Sequence, residues 1–213
     1  MPPNIYITQG RRALGVFFAI LLLGLSGCAT QPLDPVGRAQ SWQERQQMLA
    51  GLQGWSFSGR LAVRDSEDES WNASLRWQQQ DDSYDIHISG AFGQGAARMS
   101  GHEGYAVIET TDQAALTANS AEALMQERLG WYVPVADLQY WLLGSPGPGM
   151  TEGHEIDALG RLQSLQRAGW QVRYQSYMTV DGLELPRKLE LENPRLRARL
   201  VIDSWQLIHK AGG

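Results

Sequence analysis

Few side chains in this sequence have the types and spacings that do covalent or metal chemistry. The 213 residues contain one thiol, Cys28, and four histidines. Two histidines precede an acid, His102 with Glu103 and His154 with Glu155, but neither has a second ligand at a spacing that would close a zinc site. The acidic run 65–69 lacks the glycine and spaced oxygens of a calcium loop and reads as a solvated hairpin end. No GxSxG, HExxH or GxxxxGK[ST] pattern occurs, so the chain offers no nucleophile elbow, zinc helix or nucleoside-triphosphate pocket. The expectation is a protein that is not an enzyme, with no metal and no dissociable cofactor.

The chemistry that remains is at Cys28. Arg11 and Arg12 precede an unbroken apolar run over 13–25, closed by Ser26 and Gly27. A run of 13 residues is shorter than the roughly 20 needed to span a bilayer as a helix, so residues 1–27 read as a removable secretory signal. Cys28 ends the tetrapeptide LSGC, which is similar to the lipobox of bacterial lipoproteins. There the small residues let the chain lie extended for cleavage, the sulfur takes a diacylglyceryl group and the freed amine is acylated. With no second cysteine, no internal disulfide can form. Loss of 1–27 strips two arginines and takes the net charge from −5 to −7, which argues against a nucleic-acid surface. The stretch 28–37 then reads as acylated cysteine and tether, and 38–213 as one domain.

The elements that would position anything in that domain are mostly strands. Trp42, Leu49 and Leu52, with Met48 beside them, fit a helical stripe over 38–52 that Gly54 would end. The period then drops to two: Trp55, Phe57, Leu61 and Val63 share one face, as do Ala73, Leu75 and Trp77 with Trp71, and Tyr84, Ile86 and Ile88. Short strands follow near 97–100 and 105–110. Asn119 with Glu122 predicts a capping box for a helix ending at Gly130, and 133–144 a second, with Val135, Leu138, Trp141 and Leu142 on one side. Alternation returns over 162–167, 170–178, 185–192 and 196–202. One-sided antiparallel strands in this number curl into a barrel or half-barrel around their apolar face. With eight tryptophans in the chain, helices covering the open side would enclose a space lined by rings and aliphatic groups.

The lipobox LSGC, the strand LRWQQQDDSYDIHI, the loop SGAFGQG, the helix VPVADLQYWLLGSPG, the hairpin AGWQVRYQSY and the terminal RLRARLVIDSW together resemble the LolB family, in order and spacing, over nearly the whole mature chain. The resemblance implies a mainly β fold with a few helices: an incomplete antiparallel β-barrel with a helical lid over a hydrophobic cavity. It implies a monomer anchored by the lipid on Cys28 to the periplasmic face of the outer membrane. Its partners would be the carrier LolA, the acyl chains of cargo lipoproteins and outer-membrane lipid, with transfer needing no nucleotide hydrolysis. Trp77, Trp141 and Trp170 fall in family motifs of the apolar interior, and Leu75, Ile86 and Leu142 accompany them as cavity candidates. Gly90, Ala91, Phe92 and Gly93 match a protruding loop that touches the membrane. Where the family carries a leucine after proline, this chain has Phe92 after Ala91. Two other readings stand beside this one: a scaffold lipoprotein with a packed core, and a lipid-modifying enzyme with a polar cluster around Arg60 and a carboxylate.

Overall fold

The structure is a computed structural model that describes residues 35–90, 95–130 and 132–209; Cys28, Ala91, Phe92 and Gly93 lie outside them. Helix α1, Pro35–Ala50, leads into β1, Leu52–Asp65. Five strands follow as a meander: β2 Ser70–Gln80, β3 Ser83–Gly90, β4 Ala96–His102, β5 Tyr105–Thr110 and β6 Leu116–Ala118. Helices α2, Ala121–Leu129, and α3, Val135–Trp141, interrupt the sheet. A second meander completes it: β7 Gly153–Ile156, β8 Leu162–Arg167, β9 Trp170–Val180, β10 Leu183–Glu192 and β11 Leu196–His209.

The first and last strands are the longest, and they join the two meanders. β1 pairs antiparallel with β11 from Leu52 opposite His209 to Asp65 opposite Leu196, giving the order β6-β5-β4-β3-β2-β1-β11-β10-β9-β8-β7. β6 and β7 stand at opposite ends of that order and are not paired, so the barrel is incomplete. The curl has local causes. Register shifts at Ser58/Gly59 in β1 and at Pro186/Lys188 in β10 add the extra twist of bulges. A Cβ on Gly59 would lie 2.5 Å from the Val201 carbonyl oxygen, so the crossing there is too close for any side chain.

Three expectations shift. The first helix ends at Ala50, not Leu52: Gly51 takes the turn, Leu52 opens β1, Gly54 sits inside that strand and Met48 is exposed. The cap of α2 is Ser120, whose Oγ accepts the Ala123 N–H at 3.2 Å, and not Asn119. Both residues can cap a helix; Ser120 is the one with extended backbone directly before the first turn. β6 and β7 are additional, too short to show a period.

Candidate functional site

Strand register carries the inward residues into one surface. Leu61 of β1 faces Leu200 of β11, and Val63 faces Ala198. Trp77 of β2 pairs with Ile86 of β3, which pairs with Met99 of β4, which pairs with Ile108 of β5. Around this face and under the helices lies a cavity of about 270 Å³. Met125 of α2, Val133 and Pro134 of the connection, and Val135, Leu138 and Leu142 of α3 close it from above. Every lining residue is apolar or tryptophan, so nothing there compensates an ordered water. Such a hollow favours hydrocarbon.

The two ends of the barrel differ. Toward the β2–β3 turn the inward face is solid: Trp55, Phe57, Trp77 and Trp205 pack ring to ring, with centroids 5.2 to 6.0 Å apart. Trp77 belongs to both regions, as a member of that cluster and as part of the cavity floor. Its indole N–H donates to Gln79 Oε1 at 3.2 Å, and that of Trp205 to the Pro186 carbonyl at 3.0 Å. At the other end Trp71, opposite Val63, is 38% exposed and still lines the cavity, which places it on the rim. The same end receives the top of β3 and β4, where the Gly90 N–H donates to the Gly95 carbonyl at 3.0 Å.

The covering helices are held by polar contacts outside the cavity. Glu122 of α2 accepts the Ala136 N–H in the first turn of α3 at 2.8 Å. Arg167 of β8 pairs with Asp137 of α3 at 2.8 Å and donates to the Pro146 carbonyl at 3.0 Å. At the far end of α3, Tyr174 donates to the Trp141 carbonyl at 2.8 Å and Arg45 to the Leu143 carbonyl at 3.1 Å. Arg45 is only 5% exposed, and burial pulls its guanidinium below the usual range, the nearby Tyr177 opposing. Burial also pushes the Tyr174 phenol well up. The half-buried Tyr84 phenol is raised to about 12 by burial first and the Glu122 carboxylate second. Arg45 was hidden in the sequence because an arginine in a polar helix reads as solvent-facing.

Of the residues singled out by sequence, Leu75, Trp77, Ile86, Leu142 and Trp170 line the cavity. Trp141 does not: it is completely buried in the packed core, while Leu138 and Leu142, one turn apart, present the cavity face of α3. Gly90 ends β3; Ala91, Phe92 and Gly93, like Cys28, are outside the described residues. Arg60 points outward, 70% exposed and paired with Asp203 at 2.8 Å, so it places no polar cluster in the cavity. The wall residues Leu61, Val63, Met99, Leu191, Ala198 and Leu200 were not singled out, although their place in the alternation marks them as inward. Among the described residues no group of three or more His, Cys, Asp or Glu could hold a metal ion, and no helix is long and apolar enough to cross a membrane.

An open antiparallel half-barrel with helices across a dry apolar hollow defines a class, the LolA-like half-barrels. A LolA superfamily protein from Nitrosomonas europaea shares the fold with a TM-score of 0.54, at 7% identity over 83% of this chain and 95% of that one. The family model for outer membrane lipoprotein LolB matches residues 53–205. The outer-membrane lipoprotein LolB of Nitrosococcus oceani is 41% identical over 197 residues, 91% of this chain and 97% of that protein. That of Pseudomonas aeruginosa (strain LESB58) is 39% identical over 198 residues, 91% and 96% of the two chains. The chain belongs to the LolB family.

Proposed function

We propose that this protein receives the acyl chains of lipoproteins from the carrier LolA in its apolar cavity and releases them into the outer membrane. The observation that carries the reading is the hollow itself, walled by apolar side chains and covered by two helices. A chain of about sixteen carbons gains on the order of 12 kcal/mol on leaving water, at about 0.8 kcal/mol per methylene, so it crosses an aqueous gap only when shielded. At about 270 Å³ the cavity is slightly below the roughly 300–1,000 Å³ of ordinary ligand sites, so full entry requires α2 and α3 to shift.

No part of the reading uses nucleotide energy. Transfer runs down a gradient of affinity, with the cavity holding lipid more tightly than LolA does and less tightly than a bilayer. In this reading the signal 1–27 is removed and Cys28, N-acylated and S-diacylglycerylated, anchors a monomer on the periplasmic face. Phe92, with Gly90, Ala91 and Gly93, is the apolar probe that touches the membrane. The test is handover of a radiolabelled lipoprotein from LolA to the full chain carrying Cys28→Ala. Saturable transfer is expected; a chain that takes none, and no fluorescent acyl probe, is a scaffold instead.

A further inference from the structure

We propose that the groove beside the cavity rim, between the β8–β9 turn, the β10–β11 turn and Tyr132, binds the polar linker of a lipid whose chains occupy the cavity: the ester and amide carbonyls of a diacylglyceryl-cysteine. The proposal rests on the acyl-transfer reading above and adds a second subsite to it. The groove, about 320 Å³, shares Val133, Trp170 and Leu196 with the cavity wall, so the two spaces adjoin across those three side chains. Its lining then changes character, to Gln126, Tyr132, Asn193 and Arg195. A bound lipid has the same sequence of chemistry, hydrocarbon first and hydrogen-bond acceptors at its head.

Arg195 is the donor that such a head requires. Asn193 Oδ1 accepts the backbone N–H of Arg195 at 2.9 Å and of Leu196 at 2.8 Å, which fixes the turn and sets Arg195 directly beside a cavity residue. Its neighbours along β11 are committed: Arg197 to Glu192 and Arg199 to Glu190, each at 2.8 Å. The Arg195 guanidinium has no hydrogen-bond or ion-pair partner among the described residues, leaving five N–H donors for a ligand. The ligand these donors fit presents oxygen acceptors, as ester and amide carbonyls do. Burial first, and then the Glu122 and Asp137 carboxylates, raise the Tyr132 phenol, so Tyr132 remains a neutral hydroxyl donor on the groove wall beside Arg195.

The test uses the full chain with Cys28→Ala and two fluorescent probes: a dipalmitoylglyceryl-cysteine peptide and a pyrene-tagged hexadecane with no carbonyl. Arg195→Gln, at an exposed position, should weaken the first by about tenfold and leave the second and the melting temperature unchanged. Equal weakening of both probes, or of neither, overturns the subsite while the cavity reading stands. Wild-type protein that binds neither probe removes the cavity reading and the subsite with it. Loss of binding to phosphatidylglycerol vesicles, with the cysteine probe unaffected, would make Arg195 a membrane contact and overturn the assignment.

Discussion

Glu122, in the first turn of α2, accepts a hydrogen bond at 2.8 Å from the backbone N–H of Ala136, in the first turn of α3. Pro134 stands at the N-cap of α3 and provides no side-chain acceptor, so a carboxylate from the neighbouring helix fills that place. The two covering helices are thereby linked at the edge of the cavity. Glu122→Ala should cost about 1 kcal/mol, within the range of lost caps, and speed amide exchange in both α2 and α3. Glu122→Gln, which keeps an acceptor oxygen, should cost less. Unchanged exchange in α3 for the alanine variant would show that the bond does not couple the helices.

The cavity reading is tested by filling the hollow. Ala198 lies on its wall, opposite Val63, and is buried. A phenylalanine there occupies existing void, so the ordinary overpacking cost of about 1–3 kcal/mol should be largely avoided. Ala198→Phe is expected to reduce uptake of an acyl probe at least tenfold with little change in the urea midpoint. Full uptake by a folded variant would place the lipid elsewhere.

A third prediction concerns delivery. One phenylalanine entering a bilayer gains roughly 1.5–3 kcal/mol, too little to anchor a protein and enough to orient its cavity toward lipid. Phe92→Glu should therefore leave melting and probe uptake intact while lipoprotein insertion into vesicles falls. Normal insertion by the variant would assign delivery to other residues.

How legible these features are in sequence depends on what sets them. Alternation at Leu75 and Trp77, or at Leu196, Ala198 and Leu200, reports which face a strand buries, and each of these residues is buried. It does not report whether the buried side meets a neighbour or a void. Trp55 and Phe57 share the parity of Leu61 and Val63 in β1, yet the first pair lies in solid aromatic packing and the second on the cavity wall. The difference arises from curvature at Gly59 and from the placement of α2 and α3, which are properties of the assembled sheet. Trp141 shows the same limit on a helix: its apolar side is right, but its position on that side is packed solid. Glu122 was expected to close a capping box with Asn119 on its own helix, and instead its carboxylate caps the next helix.

Two buried indoles, Trp77 and Trp141, should respond differently to loss of the ring nitrogen. Trp141 Nε1 is buried with no hydrogen-bond partner, so phenylalanine removes an unsatisfied donor along with some packing. Trp77 Nε1 is bonded to Gln79, itself buried, and phenylalanine there strands an acceptor oxygen. A stranded buried group costs about 1–3 kcal/mol, so Trp77→Phe should be the more destabilising of the two by about 1–2 kcal/mol. Urea unfolding of the pair decides it; the reverse order would mean that void volume outweighs the hydrogen bond.

Acid should loosen the outer face of the sheet first. The Arg199 hydrogen bond, opposed by partial burial, holds the Glu190 carboxyl below the usual glutamate range, and the Arg98 hydrogen bond does the same for Asp85. A carboxyl lowered in the folded state is protonated first in the unfolded chain. Its contribution is complete above the ordinary value of about 4.3 and disappears as pH falls through the lower folded value. Melting temperature should therefore drop below about pH 4 as these cross-strand pairs are lost. Glu190→Gln should melt lower than wild type at pH 7 and show a shallower acid decline, the two curves converging as pH falls below the ordinary carboxylate range. Parallel curves over that window would mean that Glu190 is not depressed by its arginine.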